Sequence, residues 1–127
     1  MSDFKTPLKK ARGLGSAKSG TEHFWQQRVT AVANVPLVLF LIWFVISHLS
    51  ATRPEILTAM KNPFVAVGIL LALISITWHM RLGLQVVIED YVRSEGRKIL
   101  LLTLNMFFVF ALTAVGAYAI LKMGFGF

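Results

Sequence analysis

The chain has 127 residues, 56% of them hydrophobic and only 15% charged, with a mean hydropathy of +0.68. Soluble domains carry about a quarter charged residues, so this composition excludes an ordinary water-soluble domain and points to an integral membrane protein. The formal charge of +7 does not make a nucleic-acid binder, because no polar basic domain remains once the apolar runs are set aside. The absence of cysteine removes disulfides, thiolate zinc sites and iron–sulfur ligation by this chain.

In chain order, residues 1–20 are rich in Lys, Ser and Gly, with Lys5, Lys9, Lys10, Arg12 and Lys18 against Asp3, and read as a flexible basic tail. The first apolar run begins too late, and is too long, to be the core of a signal peptide. A mitochondrial transit peptide is the weaker reading, since Lys rather than Arg dominates. Residues 21–28 form an amphipathic approach to the bilayer in which Trp25 suits the interface. The first span is expected near 29–48, about the 20 residues that a bilayer core demands. Pro36 inside it predicts a kink or a freed carbonyl, with Asn34 close by.

Residues 49–62 read as a short polar loop, and Asn62-Pro63 as the turn into the second helix. The second span, near 64–88, is long enough to tilt, and its Gly68 and Gly83 leave room for a neighbouring helix or a flat ligand. Residues 89–98 are a hydrophilic connection. The third span lies near 99–121, with Asn105 and Gly116 as its only unusual features. The expectation is an all-α protein, a membrane domain over 21–127 with three transmembrane helices. Nine Lys and Arg flank the spans on the N-terminal side and three (Arg53, Lys61, Lys122) on the other, which places the N-terminus in the cytoplasm or matrix.

The second span carries the groups that hydrocarbon tolerates least, His79 and Arg81, and such groups default to a functional reading. On one helix His79 and Asp90 point to nearly the same side, offset by roughly 16 Å along the axis, with Tyr91 beside Asp90 where the helix leaves the lipid. A lone in-span imidazole is either an axial ligand to a haem iron or a hydrogen-bonding link between helices. A second ligand for that iron is expected from another chain, because His23 lies outside the lipid and His48 at the opposite surface. Asp90 and Tyr91 suit a quinone carbonyl and its proton supply, or else form a solvated acid beside an interfacial ring. Arg28 and Arg81 match haem propionates in geometry, or else snorkel to headgroups. His23 is a propionate partner or an interfacial residue. No serine has a histidine and a carboxylate in plausible reach, so hydrolase chemistry is not indicated.

Two segments together resemble a known family. Ser19-Gly20-Thr21-Glu22-His23-Phe24-Trp25-Gln26-Gln27-Arg28-Val29-Thr30-Ala31, followed by His79…Gly83-Leu84…Val87-Ile88-Glu89-Asp90-Tyr91-Val92, is similar to the hydrophobic membrane anchor subunits of succinate dehydrogenase. The likeness extends over roughly residues 12–121. It implies a helix bundle completed by a partner anchor, the cytochrome b556 subunit, with a flavoprotein and an iron–sulfur subunit docked on the inner face of a bacterial or mitochondrial inner membrane. It implies haem b shared with the partner anchor, with His79 as axial ligand and Arg28 near the propionates. It also implies ubiquinone, hydrogen-bonded by Tyr91, with Asp90 in proton delivery. The alternatives are a fumarate reductase anchor and a non-redox membrane scaffold or assembly protein. A small transporter is disfavoured by the lack of an internal repeat.

Overall fold

The computed structural model describes residues 4, 6–12 and 19–127. Among those residues there are five α-helices and no strand: α1 (Pro7–Arg12), α2 (Ser19–Ser47), α3 (Arg53–Met60), α4 (Pro63–Tyr91) and α5 (Glu95–Phe125). Three of them, α2, α4 and α5, are long and apolar enough to cross a membrane. Of the tail expected over 1–20, residues 1–3, 5 and 13–18 lie outside the described residues.

Every long helix outruns the span read from hydropathy. The apolar run marks what sits in lipid, whereas backbone hydrogen bonding continues into the charged flanks on either side. α2 therefore begins ten residues before 29, and Pro36 lies inside it without ending it. α4 starts as expected, with Asn62 accepting from the Phe64 N–H at 3.0 Å and Pro63 at the first helical position. It runs unbroken to Tyr91, so His79 and Tyr91 do share one helix.

The loop expected over 49–62 is a correction: it contains α3. Pro54 pre-sets the first turn, and the Glu55 carboxylate accepts both the Thr52 backbone N–H (2.6 Å) and its hydroxyl (2.8 Å). Those two hydrogen bonds hold the exposed Glu55 carboxyl below its ordinary value, the backbone one contributing most.

α4 is the central element. α2 packs along one side of it and α5 along the other, and α2 and α5 do not touch each other. The spans thus form a layer rather than a closed bundle. Two glycines allow the close approach. A Cβ on Gly68 would lie 2.8 Å from the Phe40 ring of α2, and one on Gly116 would lie 2.7 Å from a Leu73 methyl of α4. Gly83 meets nothing within 4 Å and leaves a bare strip on α4. Few side chains are fully buried, and large apolar ones such as Val32, Phe107 and Val115 stand exposed, as lipid or a partner helix requires.

Candidate functional site

The α2–α4 seam is polar where the rest of both helices is greasy. Gln26, Thr30 and Asn34 recur every four residues and so occupy one face of α2. Each meets a polar atom of α4: Gln26 Oε1 accepts from Trp78 Nε1 at 3.2 Å, Thr30 Oγ1 lies 2.9 Å from His79 Nδ1, and Asn34 Oδ1 accepts from Ser75 Oγ at 2.7 Å. On the far side of α4, Asn105 Nδ2 donates to the Arg81 carbonyl at 3.0 Å and the Thr113 hydroxyl donates to Thr77 at 3.0 Å. In hydrocarbon, where no water competes, these bonds set the register of the three spans.

Thr30 also holds the His79 ring from the α2 side. Its single hydroxyl proton faces the Gln26 carbonyl at 2.7 Å and the Gln27 carbonyl at 3.2 Å, and a carbonyl can only accept. With that proton on a carbonyl, the hydroxyl oxygen accepts from His79 Nδ1–H; turned toward the ring, it donates to Nδ1 instead. No protein group among the described residues bonds to His79 Nε2.

Beside that ring is a groove of about 550 Å³ lined by Gly20, His23, Phe24, Gln27, Arg28, Ala31, His79 and Val86. Its walls are small or apolar apart from two imidazoles, an amide and a guanidinium. The Arg28 guanidinium sits over the Phe24 ring, 4.8 Å from its centroid. Two buried polar atoms of groove residues, His23 Nε2 and Gln27 Oε1, have no hydrogen-bond partner. Buried polar groups are almost always satisfied, so such orphans at a groove wall mark missing ligand atoms or water.

The structure thus brings His23, Arg28 and His79 together. His23, read as a propionate partner or an interfacial residue, lines the same groove as His79, because residue 23 is already inside α2. Arg81 is not brought there. It lies 200° round the helix from His79. Its guanidinium stacks over Trp78 at 4.7 Å, and it lines a separate small cleft with Gln85 and Asn105. Asn105 Oδ1 is the third unpartnered buried atom. Asp90 and Tyr91 stand exposed at the end of α4, free of hydrogen bonds to other described residues, with Asp90 on the same stripe as His79, Gly83 and Val86. His48 is at the other end of α2, its Nδ1 2.8 Å from the Phe44 carbonyl oxygen.

The residues that sequence reasoning left without a structural role are Gln26, Thr30, Asn34 and Ser75. The four-residue recurrence of polar groups on α2, inside or bordering a lipid span, was the signal available for the first three.

A haem fits this groove by its donor set. One ring nitrogen without a protein partner, a guanidinium, a second imidazole and apolar walls are what an iron porphyrin with propionates needs. A bare metal ion is not served, because no group of three or more His, Cys, Asp or Glu side chains converges among the described residues.

Residues 2–114 match the family described as succinate dehydrogenase/fumarate reductase transmembrane subunit. Among curated relatives, the succinate dehydrogenase hydrophobic membrane anchor subunit of Rickettsia bellii (strain RML369-C) is 34% identical over 113 residues, covering 88% of this chain and 90% of its own length. That of Paracoccus denitrificans is 33% identical over 121 residues, covering 95% and 93%. The succinate dehydrogenase membrane anchor subunit of Reclinomonas americana is 32% identical over 85 residues, covering 65% and 71%. No solved structure matches the chain.

Proposed function

The chain belongs to the succinate dehydrogenase/fumarate reductase transmembrane subunit family as a multi-pass inner-membrane anchor of succinate dehydrogenase, and on that premise we propose that it helps to hold haem b and ubiquinone where electrons leave the iron–sulfur subunit. Its partners in that reading are the cytochrome b556 anchor subunit, the iron–sulfur subunit and the flavoprotein subunit, with membrane lipid around the rest.

The observation that carries the reading is the 2.9 Å hydrogen bond between Thr30 Oγ1 and His79 Nδ1 beside the groove. In this reading the Thr30 hydroxyl gives its own proton to the Gln26 carbonyl and accepts from Nδ1–H, which leaves Nε2 as the nitrogen that would ligate iron. Haem, when bound, supplies a one-electron relay. The chain's own residues position it. His79 would ligate its iron, and Arg28 and His23 would offer charge and hydrogen bonds to the propionates, with His23 Nε2 released from its unpaired state. Gly83 leaves the face of α4 below His79 open to a flat ring. Arg81 takes no part, since its guanidinium is engaged with Trp78 on another side of α4.

The quinone is assigned to the mouth of the same helix. Tyr91 lies roughly 18 Å along the axis from His79. Its phenol donates to a quinone carbonyl oxygen, and the exposed Asp90 carboxyl passes protons from water to the reduced quinone. The exposure of both residues in the isolated chain fits a site completed by other subunits.

The test is spectroscopic. The purified assembly shows a reduced b-type absorption band and one haem by pyridine haemochrome. His79→Ala loses or shifts that band while the chain still assembles. A colourless wild-type assembly would instead support the non-redox scaffold.

A further inference from the structure

The end of the bundle remote from the His79 groove has its own unassigned feature. A groove of about 550 Å³ lies between α3 and the last turns of α5. Arg53, Lys61 and Lys122 all line it. They are the only Lys and Arg in residues 49–62 and after residue 98, so every cation of this end is gathered in one place. On α3 the spacing puts Arg53, Leu57 and Lys61 on one face, with Glu55 turned about 200° from Arg53. No acidic residue lines the groove, and none of the three cations is in an ion pair among the described residues. The nearest carboxylate in sequence, Glu55, is committed to Thr52.

The remaining walls are apolar and aromatic. The left-handed Gly126 (φ 74°) turns the chain end so that the Phe127 ring meets Tyr118 edge-on, with centroids 6.3 Å apart. Lys122 Nζ lies 5.8 Å from the Tyr118 centroid. Lys61 lines a second, apolar cleft as well, between α3, α4 and α5, walled by residues such as Ala66, Leu70 and Ile120. Cations and rings at the level where spans leave the lipid, next to a greasy cleft, match a molecule with an anionic head and an acyl tail.

We infer that this groove binds the headgroup of an anionic phospholipid of the leaflet at the C-terminal end, with an acyl chain along the adjoining cleft. Charge complementarity selects the head: three unneutralised cations repel one another until a phosphate sits among them. The apolar cleft at Lys61 selects a lipid over a free anion. The inference depends only on the chain's place in a membrane and stands apart from haem and quinone.

The test uses the whole detergent-solubilised assembly, stripped of lipid and titrated with phosphatidylglycerol, phosphatidylcholine or inorganic phosphate, with bound lipid counted by native mass spectrometry. Wild type binds phosphatidylglycerol in preference to phosphatidylcholine, and millimolar phosphate does not displace it. The R53Q/K61Q/K122Q variant binds it about 100-fold more weakly, at roughly fivefold per cation. The charge-keeping R53K/K61R/K122R variant retains the preference. Equal binding of the two lipids, unaltered binding in the Gln variant, or displacement by phosphate overturns the inference. So does loss of another subunit from the Gln variant but not from the charge-keeping one, which would make a protein the occupant.

Discussion

The hydroxyl of Thr30 is the most informative single group to remove. Thr30→Val keeps the shape and the β-branch but deletes the acceptor of the His79 Nδ1–H and the donor to the Gln26 carbonyl. A neutral hydrogen bond contributes about 1 kcal/mol net, and a buried donor left unpaired costs about 1–3 kcal/mol. Between membrane helices the measured average is nearer 0.6 kcal/mol, so the fold should survive. The ligand should not be indifferent. Once Nδ1–H has no partner, the ring rotates or changes tautomer, and changes of this kind behind a metal-bound histidine cost about 10–100-fold in affinity. The expected result is a haem-loss rate at least about tenfold faster in the purified assembly, followed by transfer to an acceptor apoprotein, with an altered low-spin signal by electron paramagnetic resonance. Thr30→Ser restores both. Ser75→Ala removes the equally short α2–α4 bond to Asn34 and serves as the control for simple helix adhesion. Haem retention and spectrum unchanged in Thr30→Val would refute this role of the Thr30 hydroxyl. An equal loss in Ser75→Ala would reduce Thr30 to adhesion between helices.

Tyr91→Phe lowers quinone reductase turnover about fivefold, the equivalent of one neutral hydrogen bond, while succinate oxidation by an artificial acceptor stays intact; unchanged quinone turnover removes Tyr91 from the site. Gly68→Leu overpacks the seam against the Phe40 ring and destabilises the assembly by about 1–3 kcal/mol in thermal unfolding, whereas Gly116→Ala is milder because the Leu73 methyl it meets can swing aside. Lowering the pH frays α3. The Glu55 pKa is depressed in the folded state, so its hydrogen bonds to Thr52 contribute fully above the ordinary value of 4.5 and are lost as pH falls below it through the lowered one. Hydrogen exchange of the Arg53–Met60 amides reads that change, and Glu55→Gln shows fast exchange without the pH dependence.

Much of this protein was legible in residue order. Hydropathy gave three spans, Asn62-Pro63 gave the start of α4, and helical periodicity put His79 and Asp90 on nearly the same side. These are relations within one helix, fixed by a rise and a turn per residue that no neighbour alters. α3 was missed because a segment with Arg, Pro, Glu and Lys reads as a loop until the Thr52–Glu55 contact makes it a helix start.

What only the tertiary structure decided are relations between helices. Which face of α2 meets α4, and at what height, is settled by where two surfaces mesh. Here Gly68 against Phe40 and the Gln26, Thr30 and Asn34 ladder fix that register. It brings His23 to the groove of His79 and sets Thr30 Oγ1 within 2.9 Å of the ring's Nδ1. The turn of α4 sets the Arg81 guanidinium over Trp78 and in a cleft with Gln85 and Asn105, apart from the groove that His79 and Arg28 line. Local sequence carries propensity and phase; the side-by-side setting of spans is a sum of weak contacts from distant positions, and that sum exists only once the layer has formed.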